Sequence, residues 1–504
     1  MTSVRELAAV PRRIIRGLWP VGILAFTLVL NGCIGTHGIK PQGSLLHADS
    51  LATDQAIQSA ALDAHWPAAQ WWRAYGDAQL NHWVDIATLG SPSLALAAAR
   101  VRQAKAMAQV AESSESVQVQ VQGSASLMRH DWPEDQFYGP GALADTRTWD
   151  NNASLGLSYA LDLWGRERNA SEQALDLAHM SAAEQRQAQL ELQENVVRAY
   201  IQLSLEYARL DIAEAALAQQ QQILDLAQRR LKGGIGTHFE ISQAETPLPE
   251  AHRQIDALQE AIALSRNQLA ALAGKGPGEG AALQRPTLSL HTVLKMPSAL
   301  PAELLGRRPD VVAARWQVAA QARGIDVAHA GFYPNVDLVG SLSYMATGGG
   351  MLEFLTGSKL GYKVGPAISL PIFDGGRLRA ELGQASAAYD QAVAHYNQTL
   401  VMALKSISDQ LIRRASMDKQ QAFAAESVAS AQKTYDIALI AWQRGLTDYL
   451  NVLNARTQLF RQQQIQQQVE AARLNAYAGL VVALGGESGS CHSLRTTADL
   501  ECAK

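Results

Sequence analysis

From Arg166 to Lys232 the chain has neither glycine nor proline, about 67 residues without the two strongest interrupters of a helix. A second stretch, Arg377 to Arg444, holds only Gly383. At ~1.5 Å per residue each predicts a rod of about 100 Å, far longer than a globular core requires. Cysteine is almost as scarce. Cys33, Cys491 and Cys502 form no metal-ligand cluster, and the last two sit in a polar tail where they could pair or stay apart. A net charge of −4 with no basic block argues against a polyanion, and so against nucleic acid as partner. Beyond Cys33 no stretch reaches the ~18 apolar residues of a membrane helix. His179, His238, His252 and His329 lack ligand spacing, and no nucleophile has a base partner, so neither a cofactor nor enzymatic chemistry is expected.

What the chain does have begins with a targeting segment. Arg5, Arg12, Arg13 and Arg16 precede an apolar run, Leu18 to Leu30, that is too short to span a bilayer. The run ends in Leu30-Asn31-Gly32-Cys33, the form of a bacterial lipobox, in which the cysteine thiol takes a diacylglyceryl group. Cys33 is therefore the expected lipid-attachment residue. Residue 34 is Ile rather than Asp, as in lipoproteins passed on to the outer membrane.

The two rods are copies. A constant offset of 211 aligns Arg166 with Arg377, Gln173 with Gln384, Gln221 with Gln432, Gly234 with Gly445 and Gly274 with Gly485. Such self-similarity predicts a duplicated helical hairpin. Each rod turns at a matching glycine: Gly233 and Gly234 before Thr237, Gly445 before Leu446, Thr447 and Asp448. Thr237 and Asp448 are candidate N-caps of the returning helices. Pro247 and Pro249 interrupt the first returning helix near its tip and should kink it, whereas their counterparts Gln458 and Phe460 break nothing. Within the rods, apolar positions such as Val196, Val197, Tyr200 and Leu203 alternate with polar ones such as Glu184, Gln189 and Gln193, which predicts a packed seam and a wet face.

Four segments alternate with period two. Val117, Val119 and Val121 interleave with glutamines, and Leu155, Leu157 and Tyr159 with small polar residues. Val336, Leu338, Leu342 and Tyr344 form the third set, and Tyr362, Val364, Ile368 and Leu370 the fourth. Each predicts a strand with two unlike faces, about 10 to 12 residues long, the length of a tilted membrane-spanning strand. The loops between them, 129–151 and 346–361, carry Trp132, Phe137, Tyr138, Trp149 and Phe354, as an interfacial girdle would. A sheet in lipid can have no open edge, and barrels start at about eight strands. Four strands per chain therefore call for partner copies, and three copies supply twelve.

Five segments together resemble a family: Trp71-Trp72-Arg73-Ala74-Tyr75-Gly76-Asp77, Leu161-Asp162-Leu163-Trp164-Gly165-Arg166, Leu304 to Val311, Ala328 to Pro334, and Leu370 to Arg377. With the duplication, the chain is similar to TolC-like outer-membrane factors of the NodT-like lipoprotein branch. The resemblance implies a mixed α and β membrane protein. Each chain would give four strands to a trimeric 12-stranded β-barrel and a long helical hairpin pair to an α-helical periplasmic barrel. It implies an exit duct for small toxic compounds, working with a periplasmic adaptor and an inner-membrane transporter and set in outer-membrane lipid. One-step secretion of peptides or proteins is the alternative; a coiled-coil surface structure fits the strands poorly. The organisation expected is a signal peptide at 1–32, an N-terminal equatorial segment at 33–80, repeat one at 81–275 with β-hairpin 117–162 and helical hairpin 166–273, a linker at 276–302, repeat two at 303–486 with β-hairpin 335–372 and helical hairpin 377–484, and a tail at 487–504. By the same resemblance Leu450, Asn451, Leu453 and Asn454 line the periplasmic gate, with asparagines where relatives often carry aspartates. Gly233, Gly234, Thr237, Gly445, Leu446 and Thr447 form the tips that meet the adaptor.

Overall fold

The computed structural model describes residues 36, 38–47, 50–52, 69–130, 146–288, 308–347 and 360–486. Cys33, Cys491, Cys502, Trp132, Phe137, Tyr138, Phe354 and positions 304–307 lie outside the described residues. A 3-10 helix at Trp71–Tyr75 precedes α1 (Ala78–Gly90), α2 (Pro92–Ser113), β1 (Gln118–His130) and β2 (Thr146–Ala160). Then come α3 (Arg166–Lys232), α4 (His238–Glu245), α5 (Pro247–Leu272) and the short α6 (Pro277–Ala281). The second half runs α7 (Pro309–Ala330), β3 (Asn335–Thr347), β4 (Leu360–Ser369), α8 (Arg377–Gln443) and α9 (Tyr449–Ala483).

The duplication recurs in the element boundaries. α3 and α8 are both 67 residues, and both their ends are related by the offset of 211. The start of α4 and the end of α5 map on to the two ends of α9 by the same offset. α2 and α7 are both 22 residues and both open with proline, which suits the first helical position. Together with β1 and β3 they are related by a different offset, 217. The difference of about six residues is absorbed in the β-hairpins. Pro247 and Pro249 divide the first returning helix at Thr246, whose backbone stays helical (φ −52, ψ −41), so donors are lost without reversal of the chain.

The chain forms two compact units: residues 1–44, 103–178 and 316–394, and residues 45–102, 179–315 and 395–504. In the first, four antiparallel strands make one sheet in the order β1-β2-β3-β4. The strands run from 10 to 15 residues. β1 continues to His130 and β2 begins at Thr146, so Arg129 and Trp149 belong to strands and not to the loop expected at 129–151. Likewise β3 reaches Thr347. The register collects the apolar residues on one face. Val119 pairs with Leu157, Leu157 with Gly340 and Gly340 with Val364; Val121, Leu155, Leu342 and Tyr362 form the next row. On the other face Gln120, Gly156, Ser341 and Lys363 stand in line.

In the second unit the helices pack on one another. Leu192, Val196, Val197, Tyr200, Ile201 and Leu203 of α3 are buried with Leu80 and Val84 of α1 and Leu474, Ala478 and Val481 of α9. Gln193, expected on a wet face, is buried there as well, at 6% exposure. The Trp71-to-Asp77 motif has a clear structural role. Trp71 and Tyr75 lie against Tyr477, and the Tyr75 hydroxyl donates to the Leu474 carbonyl at 2.9 Å. Asp77 caps α1 through the amides of Gln79 and Leu80, and also accepts from the Tyr200 hydroxyl and the Thr287 amide. Burial raises its pKa, but these hydrogen bonds outweigh burial and hold the carboxyl below its usual range. Arg308, in the Leu304-to-Val311 motif, donates to both oxygens of Asp310 and to the Ala483 carbonyl at 2.6 Å, neutralising the C-terminal end of α9.

Candidate functional site: hairpin tips and membrane-facing sheet

Each long helix ends in the same backbone motif. Gly234 (φ +76) and Gly445 (φ +72) adopt the left-handed conformation that L side chains resist. The Gly234 amide donates to the Leu231 carbonyl and the Ile235 amide to that of Arg230, both at 3.0 Å. Gly445 and Leu446 repeat this on Trp442 and Ala441, both at 2.9 Å. These are Schellman closures, and they satisfy carbonyls the helix leaves open. The returning helices are capped differently. Thr237 and Glu240 form a reciprocal capping box, whereas Asp448 accepts the Asn451 amide at 3.2 Å. The structure brings Gly233, Gly234 and Thr237 to one exposed turn, and Gly445 and Leu446 to the other with Thr447 half-buried. Beside them stand exposed apolar side chains that match by the same offset: Ile235 with Leu446, and Phe239 with Leu450.

Beneath the turns lies a small core of Ile223, Ala244, Tyr435, Trp442, Tyr449, Val452 and Leu459. Trp442 is fully buried, stands 5.3 Å from Tyr449, and has the Arg230 guanidinium 5.3 Å from its ring. Gln220, also fully buried, donates to the Ala244 carbonyl at 2.6 Å and to the Tyr449 hydroxyl at 3.1 Å. That carbonyl lies in α4, just ahead of the proline break. Arg456 donates to the Ala216 carbonyl at 2.6 Å. Burial lowers the Arg456 pKa, against the pull of Tyr449 and Tyr435. Lone aromatics in helices rich in alanine and glutamine were a legible signal for Trp442 and Tyr449. Gln220 sits in a run of four glutamines and had none.

Of the expected gate residues, Leu450, Asn451 and Asn454 share one exposed stripe of α9 that continues through Thr457, Gln458 and Arg461. Leu453 is set apart, half-buried against the tip core. The Asn451 side-chain amide donates to the Thr447 hydroxyl at 2.7 Å. No carboxylate follows in α9 until Glu470, which is buried.

The apolar face of the sheet is open: Tyr362 is 85% exposed and Val364 81%. Both β1 and β4 are edges of this four-stranded sheet. A contiguous apolar face opposite a polar one suits lipid on one side and water on the other, and the open edges require further strands. At ~3.3 Å per residue and ~45° tilt, ten residues rise about 23 Å, close to the height of a barrel's apolar band. Leu163, Trp164, Ile372 and Phe373 are exposed where the strands meet the long helices. Trp164 stacks on Tyr333 with ring centres 4.6 Å apart and donates to the Pro334 carbonyl. An aromatic belt thus stands at this end of the sheet, opposite the loops in which the girdle was expected. Close by, Arg323 pairs with Glu172 at 2.7 Å. Asp176 is raised to about 6, chiefly by burial; Arg323 opposes the shift and Glu172 adds to it.

Comparison with known proteins agrees with this geometry. The family described as outer membrane efflux protein matches residues 83–275 and again 300–486, one match for each repeat. The fusaric acid resistance protein FusA of Burkholderia cepacia is 53% identical over 372 residues, 74% of this chain and 70% of that protein. The multidrug resistance outer membrane protein MdtP of Escherichia coli K12 is 28% identical over 475 residues, 92% and 95% of the two chains. The crystal structure of the outer membrane protein VceC from Vibrio cholerae superposes with a TM-score of 0.75 at 33% identity, covering 84% of this chain and 99% of that one. The duplicated helical hairpins, the lipid-facing sheet and these likenesses lead to one conclusion: the chain belongs to the outer membrane efflux protein family.

Proposed function

We propose that this chain is the exit duct through which a tripartite pump expels small organic toxicants, fusaric acid and related drugs foremost. The observation that carries the reading is the sheet, apolar on one face, polar on the other and open at both edges, joined to helices of about 100 Å. Three copies close it into a pore through the outer membrane. The relatives named for fusaric acid and multidrug resistance support the substrate class. The duct itself performs no chemistry; an inner-membrane transporter supplies the energy.

At the periplasmic end, Leu450 forms an apolar ring and Asn451 and Asn454 an amide ring that does not titrate, so this aperture lacks a charged cation filter. Leu453 supports it from behind. Gly233, Gly234, Thr237, Gly445, Leu446 and Thr447, with Ile235 and Phe239, present the turns on which the adaptor seals. Cys33 carries the lipid anchor. Deleting the gene should sensitise cells to fusaric acid and to a panel of drugs, and the wild-type gene should restore resistance. A Gly445→Val copy should yield trimer but little resistance. Unchanged sensitivity of the deletion strain across the whole panel would sink the export reading.

A further inference from the structure

The charged residues of α9 are Arg456, Arg461, Glu470 and Arg473, and only one of them is open. Glu470 is buried. Arg456 and Arg473 are half-buried and engaged, the first on the Ala216 carbonyl and the second on Gln421 Oε1, both at 2.6 Å. Arg461 is exposed and makes no ion pair with any described residue. It stands on the stripe that begins with Leu450 and Asn454, and the stripe continues past it to Ile465 and Gln468. Steps of four, seven, four and three residues keep these positions on one face of a helix. Arg461 lies ~10 Å along the axis from Asn454, about one Debye length at 0.1 M salt. At the tip, Asp448 accepts the Asn451 amide at the positive end of α9, and the exposed Arg444 precedes the turn, so charge there is offset.

Repeat one carries the opposite sign. By the offset of 211, Arg461 corresponds to Glu250, which accepts from Arg253 Nε at 2.7 Å. Asp256 and Glu260 of α5 are exposed as well. Two returning helices that descend from one repeat thus present unlike charge, basic on α9 and acidic on α5. The helix whose stripe lines the bore decides which ion passes more readily. We infer that Arg461 is a specificity-determining residue: three copies form a ring of cations just inside the aperture, and this ring favours small organic anions, ionised carboxylic acids above all, over organic cations. The inference rests on the export reading and on Leu450 and Asn454 lining the aperture. A guanidinium keeps its charge at any periplasmic pH, so the preference is permanent. Three unit charges ~12 Å from the aperture, screened by 0.1 M salt, favour a monovalent anion over a monovalent cation by roughly 3-fold.

The test uses the full trimer in planar bilayers, under a roughly tenfold KCl gradient kept at or below ~0.1 M. The reversal potential then gives the chloride-to-potassium permeability ratio. The wild type should prefer chloride by roughly 3-fold. Arg461→Lys should keep that preference, Arg461→Gln should remove it and Arg461→Glu should invert it. With potassium benzoate as the salt, Arg461→Gln should lower the anion-to-cation ratio by the same factor. Asp256→Asn with Glu260→Gln should leave every ratio unchanged. A wild type that prefers potassium, a ratio that Arg461→Glu leaves unaltered, or one that moves with the α5 pair overturns the proposal. The underlying reading is tested by Asn454→Cys, whose current a charged thiol reagent should block, with the wild type and its own cysteines as control. Current that stays unblocked would put the stripe off the bore, and both readings would fall. Block together with an unaltered ratio in Arg461→Glu would sink the selectivity alone.

Discussion

The two repeats share a frame and differ at the tips. Both long helices are 67 residues and close with a left-handed glycine. Yet repeat one has Gly236 where repeat two has Thr447, and a Cβ on Gly236 would stand 2.7 Å from the Leu231 amide nitrogen. Repeat one has prolines at 247 and 249 where repeat two has Gln458 and Phe460. Repeat two buries Trp442 where repeat one has the half-buried Leu231. A common frame with divergent tips teaches that the glycines fix the hairpin, while side chains beneath and beside the turn give each hairpin its own task. The returning helix that carries Leu450 is uninterrupted; the one that carries Phe239 is divided.

The sharpest way to break the comparison is to empty the tip core. Trp442→Ala should lower stability by about 3–5 kcal/mol, read as the thermal loss of helical circular dichroism in the trimer. Leu231→Ala, at the matching position, should cost no more than about 2 kcal/mol. Equal losses would mean that the two tips are packed alike. Gln458→Pro next transfers the break of repeat one to α9. It removes the hydrogen bond to the Asn454 carbonyl and should cost about 3 kcal/mol, with a raised conductance in planar bilayers. An unchanged melt and current would show that α9 need not be continuous.

A smaller effect separates the repeats by charge. Asp176 in α3 corresponds to Ala387 of repeat two by the offset of 211, so only repeat one has a half-buried carboxyl at this position. With its pKa raised to about 6, the folded protein binds this proton more readily than the unfolded chain. The stability it contributes is present below pH ~4 and is lost as pH rises through about 6. Asp176→Asn should therefore stabilise by up to about 2 kcal/mol at neutral pH and by nothing below pH ~4, in parallel melts. A gain that is the same at both pH values would rule out this origin. Smallest in energy, Leu450→Ala with Asn454→Ala should widen the aperture and raise single-channel conductance, whereas Phe239→Ala with Gln243→Ala should not. A rise in the second pair alone would place the gate on repeat one.

Much of this was legible in the sequence, for definite reasons. Unbroken helix formers between marked glycines announce long helices, and Val117 to Val121 or Tyr362 to Ile368 announce two-faced strands by alternation. The strand ends were harder to read. Apart from Trp149, Thr146 to Asn152 is polar and does not alternate, so the extension of β2 past Trp149 comes from pairing with β1 and not from pattern. The pairing of β2 with β3 joins segments separated by the whole first helical hairpin, and no local signal fixes such a partner. Gln193 and Gln220 are glutamines among many, and only the packing around them marks them as buried. In the Trp71-to-Asp77 motif the residues were visible but their work was not, because Asp77 draws together an N-cap, a tyrosine on α3 and the Thr287 amide.

The central claim is that one chain's sheet is a third of a closed lipid-facing cylinder. Native mass spectrometry of the complex, released from outer membranes in mild detergent, tests it most directly. The account predicts particles of three chains, with no stable population of one. A lone chain that keeps its four strands and exposes them to water would contradict it.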